Sequence, residues 1–238
     1  MYLSIIIPAY NEEKRLQGTL KKVRDYLSAQ NYEWEVLIVN DGSKDATGKI
    51  IDELVKKNKH IRVIRHKRNK GFTGAMKACL YSAKKHLIFL APADGQFDFK
   101  ELSKFIDAIR GYDVAVGYRV VNEENLIRKF NSLGFHFLVK ILFGISLKEF
   151  STVSLWRRRV VESIEIKSED RSAMFLPELI YKAMKKNYKF VEVPIHWHLR
   201  RGGKAKGAGL KTIIKTFMGM LVLWSKVKFF HGKMIGKK

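Results

Sequence analysis

The chain has 238 residues, 46% of them hydrophobic, which excludes a disordered polymer and allows one large domain or one domain with an appendage. Lys and Arg number 46 against 23 Asp and Glu, and the net charge of +23 calls for an anionic partner or surface. The single cysteine, Cys79, excludes an internal disulfide and reads as a small core residue.

Residues 3–8 (Leu-Ser-Ile-Ile-Ile-Pro) form a predicted strand. The turn Ala9-Tyr10-Asn11-Glu12-Glu13 follows, then a helical pattern through Leu16, Leu20, Val23 and Leu27. No basic leader precedes that strand, and no apolar run reaches the ~18 residues of a membrane span, so the chain is expected on the cytoplasmic side. The pattern repeats with a strand over 35–39, the turn Asn40-Asp41-Gly42-Ser43 and a helix over 45–57. A third strand over 61–65 and the loop Asn69-Lys70-Gly71-Phe72-Thr73-Gly74 lead into a helix over 75–82. After a fourth strand over 86–90, Asp98 opens a helix with Glu101 three residues on, the spacing of a capping box. The fifth strand is 113–117. Strands joined by crossover helices make a mostly parallel α/β sheet with right-handed connections.

Beyond Gly117 the alternation stops. An unusually apolar helix is predicted over 125–143, a strand over 151–156, a helix over 175–186 and a strand over 189–195. A Gly/Lys-rich loop, 201–209, precedes a last helix over 210–230. There is no internal repeat. We read residues 1–209 as one domain and 210–238 as a basic amphipathic helix and tail.

Asp94-Gly95-Gln96 stands at the carboxyl end of the fourth strand, where open α/β sheets bind ligands. Asp94 and the Gln96 carbonyl present two oxygens to a hard divalent cation from one turn that Gly95 lets bend. The same turn also reads as an ordinary strand-to-helix loop. His196-Trp197-His198 puts two imidazoles on one strand face; with no third ligand nearby it reads as structural or substrate-lining rather than as a metal pair. The stretch 133–147 reads as core or as an interfacial surface on lipid, with Lys140 and Lys148 at its flanks. Glu192 is the last acidic residue, and 11 Lys and Arg follow it. Such a polarised tail suits nucleic acid, phospholipid headgroups or a phosphorylated substrate. Lys215, Lys226 and Lys228 interrupt the tail helix too often for a bilayer span and suit a membrane surface.

Three strand-end turns now share one sheet edge: Pro8-Ala9-Tyr10-Asn11-Glu12, Asn40-Asp41-Gly42-Ser43 and Ala93-Asp94-Gly95-Gln96. In this order they resemble the family 2 glycosyltransferases of the GT-A fold, most closely the polyprenyl-phosphate glycosyltransferases of the dolichol-phosphate mannose synthase type. Residues 2–209 carry the resemblance, with further matches at Asn69-Lys70-Gly71, Gly117-Tyr118-Arg119, Arg128 with Ser132, Leu155-Trp156-Arg157-Arg158, Pro177-Glu178-Leu179, Glu192-Val193-Pro194-Ile195 and Arg200-Arg201-Gly202-Gly203-Lys204.

The resemblance implies a Rossmann-like, mostly parallel sheet flanked by helices, and an inverting transfer from a GDP- or UDP-sugar to a polyprenyl phosphate. Pro8, Tyr10, Glu12, Asn40 and Asp41 would surround the base and ribose. Asp94 and Gln96 would hold Mg²⁺ or Mn²⁺ on the diphosphate, and Arg200, Arg201 and Lys204 would close over the donor. Arg119, Arg128 and Ser132 would meet the acceptor phosphate, with Asp94, Arg128 and Glu178 as the catalytic residues. Glu178 would orient the acceptor or the sugar; it also reads as a capping glutamate after Pro177. The family's Asp-X-Asp is Pro92-Ala93-Asp94 here, so the first metal-facing carboxylate is missing. The implied partners are a nucleotide-sugar, a polyprenyl phosphate and an anionic membrane surface at the cytoplasmic face. A saccharide acceptor is the alternative. Charge alone supports nucleic-acid binding, which leaves the ordered turns unexplained and is not expected.

Overall fold

The computed structural model describes residues 1–122, 126–149, 153–198 and 216–225. The first half follows the predicted alternation: β1 (Tyr2–Ala9), α1 (Leu16–Ser28), β2 (Glu33–Asn40), α2 (Thr47–Lys57), β3 (Ile61–Arg65), α3 (Gly71–Ser82) and β4 (Leu87–Leu90). A 3-10 turn (Phe99–Glu101) leads into α4 (Leu102–Ala108) and β5 (Val114–Asn122). Then come α5 (Leu126–Phe143), β6 (Ser154–Arg157), α6 (Arg158–Glu162), α7 (Phe175–Lys185) and β7 (Phe190–Trp197), and residues 216–225 are helical.

The seven strands form one sheet in the order β3-β2-β1-β4-β6-β5-β7, parallel throughout except for β6, which runs antiparallel to both neighbours. Runs such as Ile5-Ile6-Ile7 and Val36-Leu37-Ile38-Val39 are apolar at every position because both sheet faces are covered. Ile6, Leu37 and Ile88 face a core shared with Cys79 of α3 and Leu179 of α7. On the other face Ile5, Val36 and Phe89 pack with Leu16 and Leu20 of α1 and Phe105 of α4.

Strands β2 and β3 are laid down on one side of β1 and β4 on the other, so the order reverses between β1 and β4 and a crevice opens at their carboxyl ends. Pro8 widens it. The carbonyl of Ile6 accepts the N–H of Ala91 at 3.1 Å, and the next donor on that edge of β1 would be residue 8, where proline has none.

Some predicted bounds move. Strand β5 runs on to Asn122 because β7 pairs with it along its whole length, up to Trp197 opposite Asn122. The capping box is half formed: the N–H of Lys100 donates to Asp98 Oδ1 (3.0 Å), while Glu101 Oε2 accepts the N–H of His196 (3.0 Å). The apolar stretch 133–147 is core only in part. Val139, Phe143, Ile145 and Leu147 are core, whereas Leu133, Phe137 and Ile141 are 68%, 61% and 64% exposed, a stripe at helical spacing. Of the predicted tail helix, only 216–225 falls among the described residues.

Candidate active site

The loops after β1 and β2 are stitched together. The N–H groups of Asn11 and Glu12 donate to Ser43 Oγ (3.0 Å) and Thr47 Oγ1 (2.8 Å), and the N–H groups of Lys44 and Ala46 donate back to Asn11 Oδ1 (2.8 Å) and Glu13 Oε2 (3.0 Å). Asn40 Oδ1 accepts the N–H of Ser43 at 3.0 Å, which shapes the second turn. Gly42 takes φ +68°, and any Cβ there would come within 2.7 Å of the Arg68 and Asn69 backbone. Tyr10 stands half-buried on the rim of this double loop. Glu12 is buried and paired with the Arg15 guanidinium at 2.7 Å, which turns its carboxylate to α1.

Asp41 corrects the expectation of a ribose contact. Its carboxylate accepts the N–H groups of Lys70 and Gly71 (both 2.9 Å) and Asn69 Nδ2 (3.0 Å), and it meets His66 Nδ1 at 2.6 Å. From the end of β2 it thus caps the amino end of α3, whose first N–H groups have no partner within the helix. That is why α3 starts at Gly71, ahead of the predicted 75.

Asp94 lies half-buried in the crevice. The N–H of Gln96 donates to its Oδ1 (3.2 Å), Gly95 takes φ +75°, and Thr19 Oγ1 of α1 fixes the turn through the Ala93 carbonyl (3.1 Å). Gln96 is expected to share the metal with Asp94. It is 1% exposed, its Nε2 donates to the His198 carbonyl (2.9 Å), and its own backbone carbonyl accepts the His198 N–H (3.1 Å). Gln96 ties the turn to the end of β7. Among the described residues no three His, Cys, Asp or Glu side chains converge on a metal position. One half-buried carboxylate fits Mg²⁺ or Mn²⁺ completed by phosphate oxygens and water, and does not fit a cage built from protein alone.

Arg119 and Ser132 lie together. The Arg119 guanidinium, with a side chain 10% exposed, donates to Ser132 Oγ at 3.1 Å and is ion-paired with Glu149. The other Glu149 oxygen accepts the Arg119 backbone N–H at 2.9 Å. His136 Nε2 stands 3.8 Å from Glu149, and burial pushes its imidazole down to about 4. Sequence reasoning missed Glu149: it sits in an irregular segment, and its partner is 30 residues away. Arg128 belongs to the first turn of α5, but its side chain lies outside the described set, as do Arg200, Arg201 and Lys204.

Glu178 is corrected to a structural role. At 1% exposure it accepts the N–H groups of Lys167 (2.8 Å) and Ser168 (2.7 Å) and the Ser168 hydroxyl (2.5 Å), and it is ion-paired with Lys182. It pins the 167–168 segment to α7 and has no acceptor capacity left for a substrate. His196 and His198 stack at 4.4 Å. A cavity of about 520 Å³ lined by Arg157, Arg158, Arg159 and Lys189 opens at the opposite, amino-terminal edge of the sheet. There Arg157 donates to the Tyr112 and Ile109 carbonyls and Arg159 to Asp113, so these cations hold the fold.

Comparison with known proteins agrees with this geometry. The sequence model of the family described as Glycosyl transferase family 2 matches residues 4–164. A dolichyl-phosphate beta-glucosyltransferase of Trichomonas vaginalis is 30% identical over 228 residues, 88% of this chain and 70% of that protein. The dolichyl-phosphate beta-glucosyltransferase of Saccharomyces cerevisiae is 32% identical over 231 residues, 86% of this chain and 69% of its own length. Among solved structures, glucosyl-3-phosphoglycerate synthase from Mycobacterium tuberculosis, in complex with Mn²⁺, UDP and glucosyl-3-phosphoglycerate, superposes with a TM-score of 0.70 at 12% identity, covering 93% of this chain and 79% of that one.

Proposed function

Since the chain belongs to family 2 of the glycosyltransferases and has their GT-A fold, we propose that it transfers a sugar, glucose in the first instance, from a nucleoside diphosphate to a polyprenyl phosphate. The observation that carries the acceptor class is the layout of α5. The buried Arg119 guanidinium is paired with Ser132 and Glu149, and next to Ser132 begins the exposed apolar stripe Leu133, Phe137 and Ile141. An arginine–serine pair continuous with an apolar face suits an amphipathic lipid phosphate better than a saccharide.

The donor would lie in the crevice between β1 and β4, its nucleoside against Tyr10 and the laced loops and its diphosphate toward Asp94. Asp94 would hold the Mg²⁺ or Mn²⁺, which when bound supplies positive charge against the leaving diphosphate. Arg119, Arg128 and Ser132 would orient the acceptor phosphate, and Arg200, Arg201 and Lys204 would cover the donor and exclude water. A phosphate monoester with a second pKa of about 6 is already a dianion at neutral pH. One of its oxygens attacks the anomeric carbon in line, the new C–O bond forms as the bond to the diphosphate breaks, and the nucleoside diphosphate departs with inversion. No general base is required, in keeping with Glu178 being enclosed in the fold.

Among the described residues no helix is long and apolar enough to cross a membrane. We place the enzyme at the cytoplasmic membrane face through the α5 stripe and the basic segment after Glu192, two independent signals, one apolar and one electrostatic. The test is transfer from radiolabelled UDP-glucose, with GDP-mannose alongside, to undecaprenyl phosphate in detergent. Label in a chloroform-extractable, mild-acid-labile product supports the reading; label in water-soluble saccharide alone refutes it.

A further inference from the structure

Trp197 ends β7 between the two halves of the site. It pairs in register with Asn122 of β5 and bridges to Phe97, just past the Asp94 turn. Its neighbours are fixed on both sides: the N–H of His196 donates to Glu101 (3.0 Å), and His198 exchanges two hydrogen bonds with Gln96. The Arg119 guanidinium lies 5.9 Å from the centre of the indole ring, within cation-π range. The residue is only 7% exposed, yet among the described residues its Nε1–H is a buried donor without an acceptor.

A buried orphan donor is costly, and buried polar groups are satisfied with few exceptions. Phenylalanine would keep a ring for Arg119 without that cost, though with less volume. A stable fold therefore gains nothing from this N–H. It does gain a function if the missing acceptor is a ligand oxygen, since local rules are broken mainly at functional sites. The guanidinium beside the ring, held by Glu149 and Ser132, favours an anionic oxygen as that acceptor. We infer that the indole N–H of Trp197 donates a hydrogen bond to an oxygen of the acceptor phosphate held at Arg119, making Trp197 a direct binding residue for that phosphate.

The inference rests on the proposed acceptor class, and the experiment separates the two. Citronellyl phosphate, a short isoprenyl phosphate, serves as acceptor and as binding probe, with citronellol as the uncharged control. For Trp197→Phe the acceptor KM is expected to rise about tenfold, the loss typical of a hydrogen bond to a charged group, while the KM for the nucleotide-sugar stays within about twofold. The variant should melt close to the native temperature, because the shed donor offsets part of the cavity left by the smaller ring. An unchanged acceptor KM, or a rise confined to the donor KM, overturns the inference. If the variant does not fold, the native protein is read by its indole ¹H–¹⁵N resonances, assigned by elimination with Trp34→Phe, Trp156→Phe and Trp224→Phe. The Trp197 signal should shift and saturate with citronellyl phosphate and stay in place with citronellol; a signal that ignores both overturns the proposal. A native protein that gains no thermal protection from citronellyl phosphate overturns the acceptor reading and this inference with it, whereas native and Trp197→Phe proteins protected equally sink only the role of Trp197.

Discussion

Asp41 and Asp94 end neighbouring loops on the same sheet edge, and burial sets them apart. Asp41, 2% exposed, spends its oxygens on four protein donors, whereas Asp94 is half-buried in the crevice. Asp94→Asn keeps the shape of the turn and removes the charge that would hold a cation. We expect kcat/KM to fall by about 10²–10³, the scale of losing one transition-state electrostatic contact, with the melting temperature unchanged. Near-native turnover in the metal-supplemented variant would remove Asp94 from the site. Glu178→Gln should do the reverse. Its amide sets an N–H₂ group against the Lys182 ammonium or the Lys167 and Ser168 N–H groups, at about 3 kcal/mol of stability. Urea unfolding measures the loss, and kcat per folded molecule should be retained. A folded variant with native stability and no turnover would return Glu178 to catalysis.

At the scale of elements, α5 joins two functions through one helical period. Its inward residues His136, Val139 and Phe143 are core, Ser132 reaches Arg119, and the stripe Leu133, Phe137 and Ile141 faces outward. Burying such side chains in the acyl boundary is worth about 1.5–3 kcal/mol each, and salt does not screen it. Replacing all three by Ser should cut co-sedimentation with phosphatidylglycerol vesicles by more than about tenfold in 0.5 M salt, where the basic tail contributes little. The folded core should lose little, since these side chains are exposed. Vesicle binding that survives the triple substitution at high salt would move the anchor to another element.

The whole molecule carries buried ionisable groups whose protonation is linked to folding. Burial drives the His136 imidazole from 6.5 down to about 4; Glu149 opposes the shift, and Arg119 and Lys140 add to it. The native state therefore binds fewer protons than the unfolded chain between those values, so this contribution is complete above pH 6.5 and declines as pH falls toward about 4. Burial works to raise the carboxyl groups of Glu35 and Glu178, but hydrogen bonds outweigh it and hold both below their ordinary 4.5. For Glu35 these come from Ser4, the Lys84 N–H and Arg62, and for Glu178 from Lys182, Ser168 and the Lys167 N–H. Their stabilisation is present above 4.5 and is lost as pH drops through the lowered values. Urea midpoints should thus decline gently below pH 6.5 and more steeply below 4.5, and His136→Phe should flatten only the upper limb. A native midpoint that is constant from pH 7 to 5 would show that His136 is not linked to folding.

The sequence by itself determined the repeating strand, turn and helix of the first half and the edge on which Asp94 and the other turns lie. Apolar periodicity and turn residues act over a few positions, and burial on both sheet faces made β1 and β2 continuous apolar runs. The tertiary structure alone decided what each polar group was spent on. Asp41 caps a helix that begins 30 residues later, Gln96 is clamped to His198 across 102 positions, and Arg119 meets Glu149 over 30. It also decided the antiparallel entry of β6 between β4 and β5, and the burial of the Trp197 N–H without an acceptor. Local spacing dictates which backbone conformation a segment prefers. It carries no record of which distant donor will reach a carboxylate once both have left water, and that competition settles whether an acidic side chain serves the fold or is left to the ligand.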